Sequence, residues 1–132
     1  MTKDNIPEDI RNFVLKYIDT VELLSILLLL KATPEKEWTS EEIENVIRSS
    51  SASIERRLSD LYSRGILTRK YPNDDRHVFS PKTKEISDVV DKLVIYNITY
   101  PYRLINLIYS KPAEALRTLA DAFRVDRKDE NK

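Results

Sequence analysis

Arg56 and Arg57 stand side by side in Ser51 to Tyr62, where Ile54, Leu58, Leu61 and Tyr62 recur at helical spacing. An arginine fork matches the O6 and N7 of guanine, or two phosphate oxygens, so the pair is a candidate for nucleic-acid contact. Neighbours on a helix lie about 100° apart, so the two face different ways. Arg57, three residues after Ile54 and one before Leu58, leans towards the buried stripe. Arg56, between Ser53 and Asp60, points outward and is the expected reader of bases. Ser51 and Ser53, near the start of the same helix, add hydroxyls suited to a phosphate oxygen. The plainer account of both arginines is a solubilising surface, paired with Glu55 and Asp60.

Other chemistry is thinly represented. His77 is the single histidine and cysteine is absent, which removes multi-histidine and thiolate metal sites and cysteine catalysis. A serine–histidine pair also needs an orienting acid and an oxyanion hole, for which a chain with one glycine offers little. His77 is therefore expected on the surface of a strand. Glu41, Glu42 and Glu44 fall in a first helical turn, where carboxylates complement the backbone dipole. Trp38 and the tyrosines from Tyr96 to Tyr109 could line a ligand pocket, but core and dimer packing explains them more simply. The expectation is a protein that is not an enzyme, with no cofactor and no metal.

These residues are set in 132 residues, 41% hydrophobic and 33% charged, a size and composition that predict one ordinary core and mostly helix. The formal net charge is zero, but it is unevenly spread. Residues 1–47 carry a net −5, residues 48–84 a net +5, and residues 85–132 balance. The positive excess thus coincides with Arg56, Arg57 and the stretch after them, a local footprint suited to a polyanion. The N-terminus MTKDNIPEDI is polar and acidic, unlike a signal peptide. The apolar run of LLSILLLL is far short of the roughly 20 residues of a membrane span. A cytoplasmic protein with no membrane partner is expected.

In chain order, Pro7, Glu8 and Asp9 open a first helix with Ile10, Phe13, Val14, Tyr17 and Ile18 on one face and Asn5 as its cap. Asp19 or Thr20 caps a second, Val21 to Lys31, apolar nearly all round and therefore central. Thr39 with Glu42 is a capping box for a helix from Ser40 to Arg48. A turn at Ser49 to Ser51 joins it to the arginine-bearing helix, making a helix-turn-helix. Gly65, the only glycine, fits the left-handed position just past that helix. Ile66 to Tyr71 then reads as a strand pairing with His77 to Ser80 across Pro72 to Arg76, with Arg69, Lys70 and Arg76 placed for phosphate contact. Thr83 caps a helix bearing Ile86, Val89, Val90, Leu93 and Val94. Residues 98–110 read as its kinked continuation at Pro101, with a strand as the alternative. A final helix from Lys111 or Pro112 to Arg124 carries Ala115, Leu116, Leu119, Ala120 and Phe123 on one stripe.

The pattern L-x-x-L-x-x-x-G-I-L, from Leu58 to Leu67, resembles the junction between recognition helix and wing in winged helix-turn-helix domains. Residues 20–82 resemble the winged-helix regulators of bacteria and archaea, such as the MarR and PadR groups. DVVDKLVIYNI and LINLIYSKPAEALRTLADAFR look like the C-terminal part of a group of bacterial winged-helix proteins. The resemblance implies a mainly α fold with a small β-hairpin wing, a winged helix-turn-helix with extra N- and C-terminal helices. Residues 1–82 would form the winged domain with its N-terminal helix, and residues 83–132 a helical dimerisation segment using Leu116, Leu119 and Phe123. The implied function is a DNA-binding transcriptional regulator working as a homodimer on double-stranded DNA. Ser51, Ser53, Arg56, Arg57, Arg69, Lys70 and Arg76 would make the contacts, with a small-molecule effector as a further option. The alternative is a winged-helix protein–protein interaction module that does not touch DNA.

Overall fold

A computed structural model describes residues 5–69 and 73–111. Six helices follow in order: α1 Glu8–Tyr17, α2 Val21–Ala32, α3 Ser40–Ile47, α4 Ser51–Ser63, α5 Lys84–Thr99 and α6 Pro101–Tyr109. Most of their ends are written locally. Thr20 accepts from the Leu23 amide, Ser50 from Ser53 and Thr83 from Ile86, each satisfying a donor that the first turn leaves orphaned. Thr39 and Glu42 complete the capping box of α3, with the Thr39 amide donating to Glu42 Oε1 at 2.9 Å. Pro7, not Asn5, is the N-cap of α1, and no side chain caps that end.

Two groups of helices share one core. α2 packs against α3 and α4, while α1 packs against α5 and α6, which also meet each other. Leu23, Leu24, Ile26, Leu27 and Leu30 of α2 are all buried, as its lack of a polar face requires. They join Val14 of α1 and Ile18 at its C-cap, Ile43 of α3, Ile54, Leu58 and Leu61 of α4, and Leu93 and Leu104 of α5 and α6 in a continuous cluster. Tyr100 (φ −130°, ψ 56°) breaks the chain between α5 and α6, and Pro101 opens α6. Residues 98–109 are therefore helix, break and helix; the strand alternative does not form.

The β-hairpin wing does not form either. Among the described residues the protein is all-helical, with no strand, so the expected winged helix-turn-helix is incorrect. The physical reason lies in Ile66 and Leu67, which are both buried, whereas a half-buried strand buries every second residue. They complete the end of α4 instead. Gly65 adopts φ +75°, its amide donates to Tyr62 O at 3.2 Å and the Ile66 amide donates to Leu61 O at 3.0 Å, the bond pair of a Schellman motif. The partner segment is also claimed elsewhere. His77 exchanges both backbone hydrogen bonds with Trp38, at 2.7 and 2.9 Å, as an isolated antiparallel bridge. Between residues 68 and 80 hydroxyls stand in for a ladder: Thr68 Oγ1 donates to Ser80 O and Ser80 Oγ to Thr68 O, both at 3.0 Å.

Candidate nucleic-acid interface

α3 and α4 are joined by a tight turn. Arg48 takes the left-handed conformation (φ 61°, ψ 55°), Ser49 follows, and Ser50 caps α4. The helix-turn-helix expected from the sequence is present, with α4 starting at Ser51. Ile54, Leu58 and Leu61 anchor α4 to the core and leave Ser51, Ala52, Glu55, Arg56 and Ser59 exposed.

A carboxylate from another helix organises the start of α4. Ser49 Oγ donates to Glu22 Oε2 at 2.5 Å, while the Ser53 hydroxyl and Arg57 Nε, at 3.2 Å, both donate to Oε1. Burial alone would raise the pKa of Glu22, but these three donors together outweigh it and hold the group below the usual carboxylate range. Arg57 is thereby turned towards α2 and neutralised. Ser51 Oγ donates to Glu44 Oε1 at 2.5 Å, so it too has an internal partner. Arg56 differs: it is exposed and has neither a hydrogen bond nor an ion pair to another described residue.

The segment after Gly65 is also heavily compensated. Arg76 binds Asp74 through Nε and Nη2, at 2.6 to 2.9 Å, and lies 3.7 Å from Glu37. Arg69 stacks its guanidinium over the Tyr62 ring, 4.1 Å from the centroid, and donates to Asp74 O at 3.3 Å. Lys70 lies outside the described residues, as do Leu116, Leu119 and Phe123. At the far end of α4, Arg64 donates to Tyr17 O and Asp19 Oδ2, and Asp19 also receives Lys111 Nζ at 2.9 Å.

His77 is buried, with 2% of its surface exposed, contrary to its expected place on a strand surface. Nε2 lies 2.9 Å from Asp75 Oδ1 and 3.2 Å from Ser40 Oγ, and Nδ1 lies 2.6 Å from Tyr62 OH. Ser40 Oγ in turn donates to Asp75 Oδ1 at 2.5 Å. With Asp75 ionised, the partners assign the proton to Nε2 and make Nδ1 the acceptor of the Tyr62 hydroxyl. Burial tends to raise Asp75, but the donors from Ser40 and His77 bring it below the usual range; burial pushes the Tyr62 phenol up. A relay through tyrosine, histidine and aspartate is thus laid out in order. Its tyrosine, however, is held as a donor and made less acidic, which suits a latch better than a nucleophile. Among the described residues no group of three or more histidine or acidic side chains could hold a metal ion.

Glu22 and the burial of His77 are the two features missed in the sequence reading. Glu22 left one trace there, as the lone charge between Val21 and Leu30. No family model, curated protein or solved structure matches this chain.

Proposed function

We propose that the chain is a DNA-binding transcriptional regulator that docks the α3–α4 helix-turn-helix on double-stranded DNA. The observation that carries this reading is Arg56, an exposed and uncompensated arginine on the N-terminal half of the second helix. In helix-turn-helix docking that half of the second helix enters the major groove. The net +5 of residues 48–84 supplies the electrostatic background, with Arg48, Lys82 and Lys84 also exposed. The helix-turn-helix reaches DNA here without a wing. Such proteins bind two half-sites as dimers, and Leu116, Leu119 and Phe123 are the proposed contacts between copies.

The test is anisotropy of labelled duplexes at low salt, on a selected site and a scrambled one. Affinity that falls steeply with salt is expected. Arg56→Ala should cost about 1–3 kcal/mol on the selected site and less on the scrambled one. Equal losses on both would reduce Arg56 to a phosphate anchor, and no binding at low salt would refute the reading.

One observation favours a second reading, a protein-interaction module. Ile95, Ile98, Tyr102 and Tyr109 of α5 and α6 are all more than two-thirds exposed, an apolar surface on the opposite group of helices. Retention of a partner by a chain that ignores DNA would support it.

A further inference from the structure

We propose that Glu22 is a positioning residue for DNA docking: through Ser49, Ser53 and Arg57 its carboxylate pins the start of α4 to α2, engages Arg57 and leaves Arg56 as the arginine of that helix offered to a duplex. The inference rests on the DNA reading above.

Glu22 sits in the first turn of α2, where solvent would be its default environment, yet its side chain is only 23% exposed. Its partners lie at positions 49, 53 and 57, a four-residue spacing that places Ser53 and Arg57 one above the other on a single side of α4. Two donors on that line, with Ser49 of the preceding turn as a third, tie the start of α4 to α2. A rotation of about 100° would exchange Arg56 and Arg57, and the contact adds to the buried stripe of Ile54, Leu58 and Leu61 in keeping Arg57 inward and Arg56 outward.

The same contact sets the charge that α4 presents. The first turn of α4 has no acidic residue of its own, so the positive end of its dipole would otherwise invite any phosphate. Glu22 brings a carboxylate from α2 to this end, where Glu44 already accepts from Ser51, and pairs with Arg57 at 3.2 Å. A phosphate approaching this flank meets the Glu22 carboxylate beside Arg57. Glu22 thus discourages sequence-blind docking as well as fixing orientation.

Glu22→Gln separates charge from shape, because glutamine keeps the length and one acceptor oxygen but cannot cancel an arginine. On random duplex, the plot of log K against log salt should steepen by roughly one unit as Arg57 becomes available to phosphate. The ratio of affinities for a selected and a scrambled site should fall. Adding Arg57→Gln should return the slope to that of the unmodified chain, and Glu22→Asp should restore it in part. A purely structural role would lower the melting temperature and weaken all binding without steepening the slope. A folded Glu22→Gln chain with an unchanged slope therefore overturns the inference and leaves the DNA reading standing. If the unmodified chain binds no duplex, the DNA reading fails and takes this inference with it. Should Glu22→Gln not fold, Arg57→Gln alone carries the test. Its slope is expected to match the unmodified chain, and a slope shallower by one unit overturns the inference.

Discussion

Tyr62→Phe isolates the latch around His77 with little change of shape. The phenyl ring stays in place, and Arg69 can still stack on it at 4.1 Å, so packing and the cation–π contact persist. What disappears is the hydroxyl 2.6 Å from Nδ1 of a histidine that is 2% exposed. Nε2 is already committed to Asp75 and Ser40, so Nδ1 is left as a buried acceptor without a donor. Such a group costs about 1–3 kcal/mol, more than the 0.5–1.5 kcal/mol of an ordinary hydrogen bond. Urea unfolding at neutral pH should show that loss with an unchanged m-value. Tyr96→Phe is the control: its hydroxyl makes only long bonds, donating to Asn5 O at 3.5 Å and accepting from Arg103 Nη1 at 3.3 Å, and should matter by under about 0.5 kcal/mol. The decisive comparison is a double-mutant cycle with His77→Leu. Once the imidazole is gone, Tyr62→Phe should cost less than about 0.5 kcal/mol, because the orphaned acceptor no longer exists. Equal costs in both backgrounds would show that the hydroxyl acts elsewhere and that His77 is not fastened to α4 through Tyr62.

Two backbone positions should respond in opposite directions. At Gly65, with φ +75°, an added Cβ would sit 3.3 Å from Lys82 Cβ, and the Lys82 amide is tied to Gly65 O at 2.8 Å. Gly65→Val should therefore lose on the order of 1–2 kcal/mol or more in thermal or urea unfolding. Arg48 already holds a side chain at φ 61°, so Arg48→Gly should raise stability by up to about 1 kcal/mol, the relief of strain less the backbone entropy of glycine. Acid should weaken the fold. Burial is the largest single influence on Glu22, Asp19 and Asp75 and pushes each up, but several hydrogen bonds and nearby cations together bring each below its ordinary value, so each adds stability above its unfolded pKa. That contribution is lost as pH falls through the ordinary carboxylate range of about 4 and on towards the lower folded values. The urea midpoint should be flat from about pH 5 to 7 and decline below about pH 4.5, with a smaller decline in Glu22→Gln.

What the sequence made legible is what is local. The Thr39–Glu42 capping box, the Thr20 and Thr83 caps and the glycine stop at Gly65 involve residues within a few positions of one another, and all are present. The wing was misread because Ile66 and Leu67 have strand-like side chains but are spent on closing α4, and a run that short carries too few periods to separate the two. His77 finds Trp38 and Ser40 more than 35 positions away, so no local pattern could announce it. Charge misleads for a related reason. The net −5 of residues 1–47 and the net +5 of residues 48–84 suggest an acidic and a basic region. Folding brings the two into contact: Glu22 meets Arg57, Asp19 meets Arg64 and Glu37 meets Arg76. Three cations of the basic block, Arg57, Arg64 and Arg76, are thus paired with carboxylates from the acidic one. A DNA surface on this protein must depend on the few cations the fold leaves uncompensated, which gives Arg56 a weight that its place in a basic run would not.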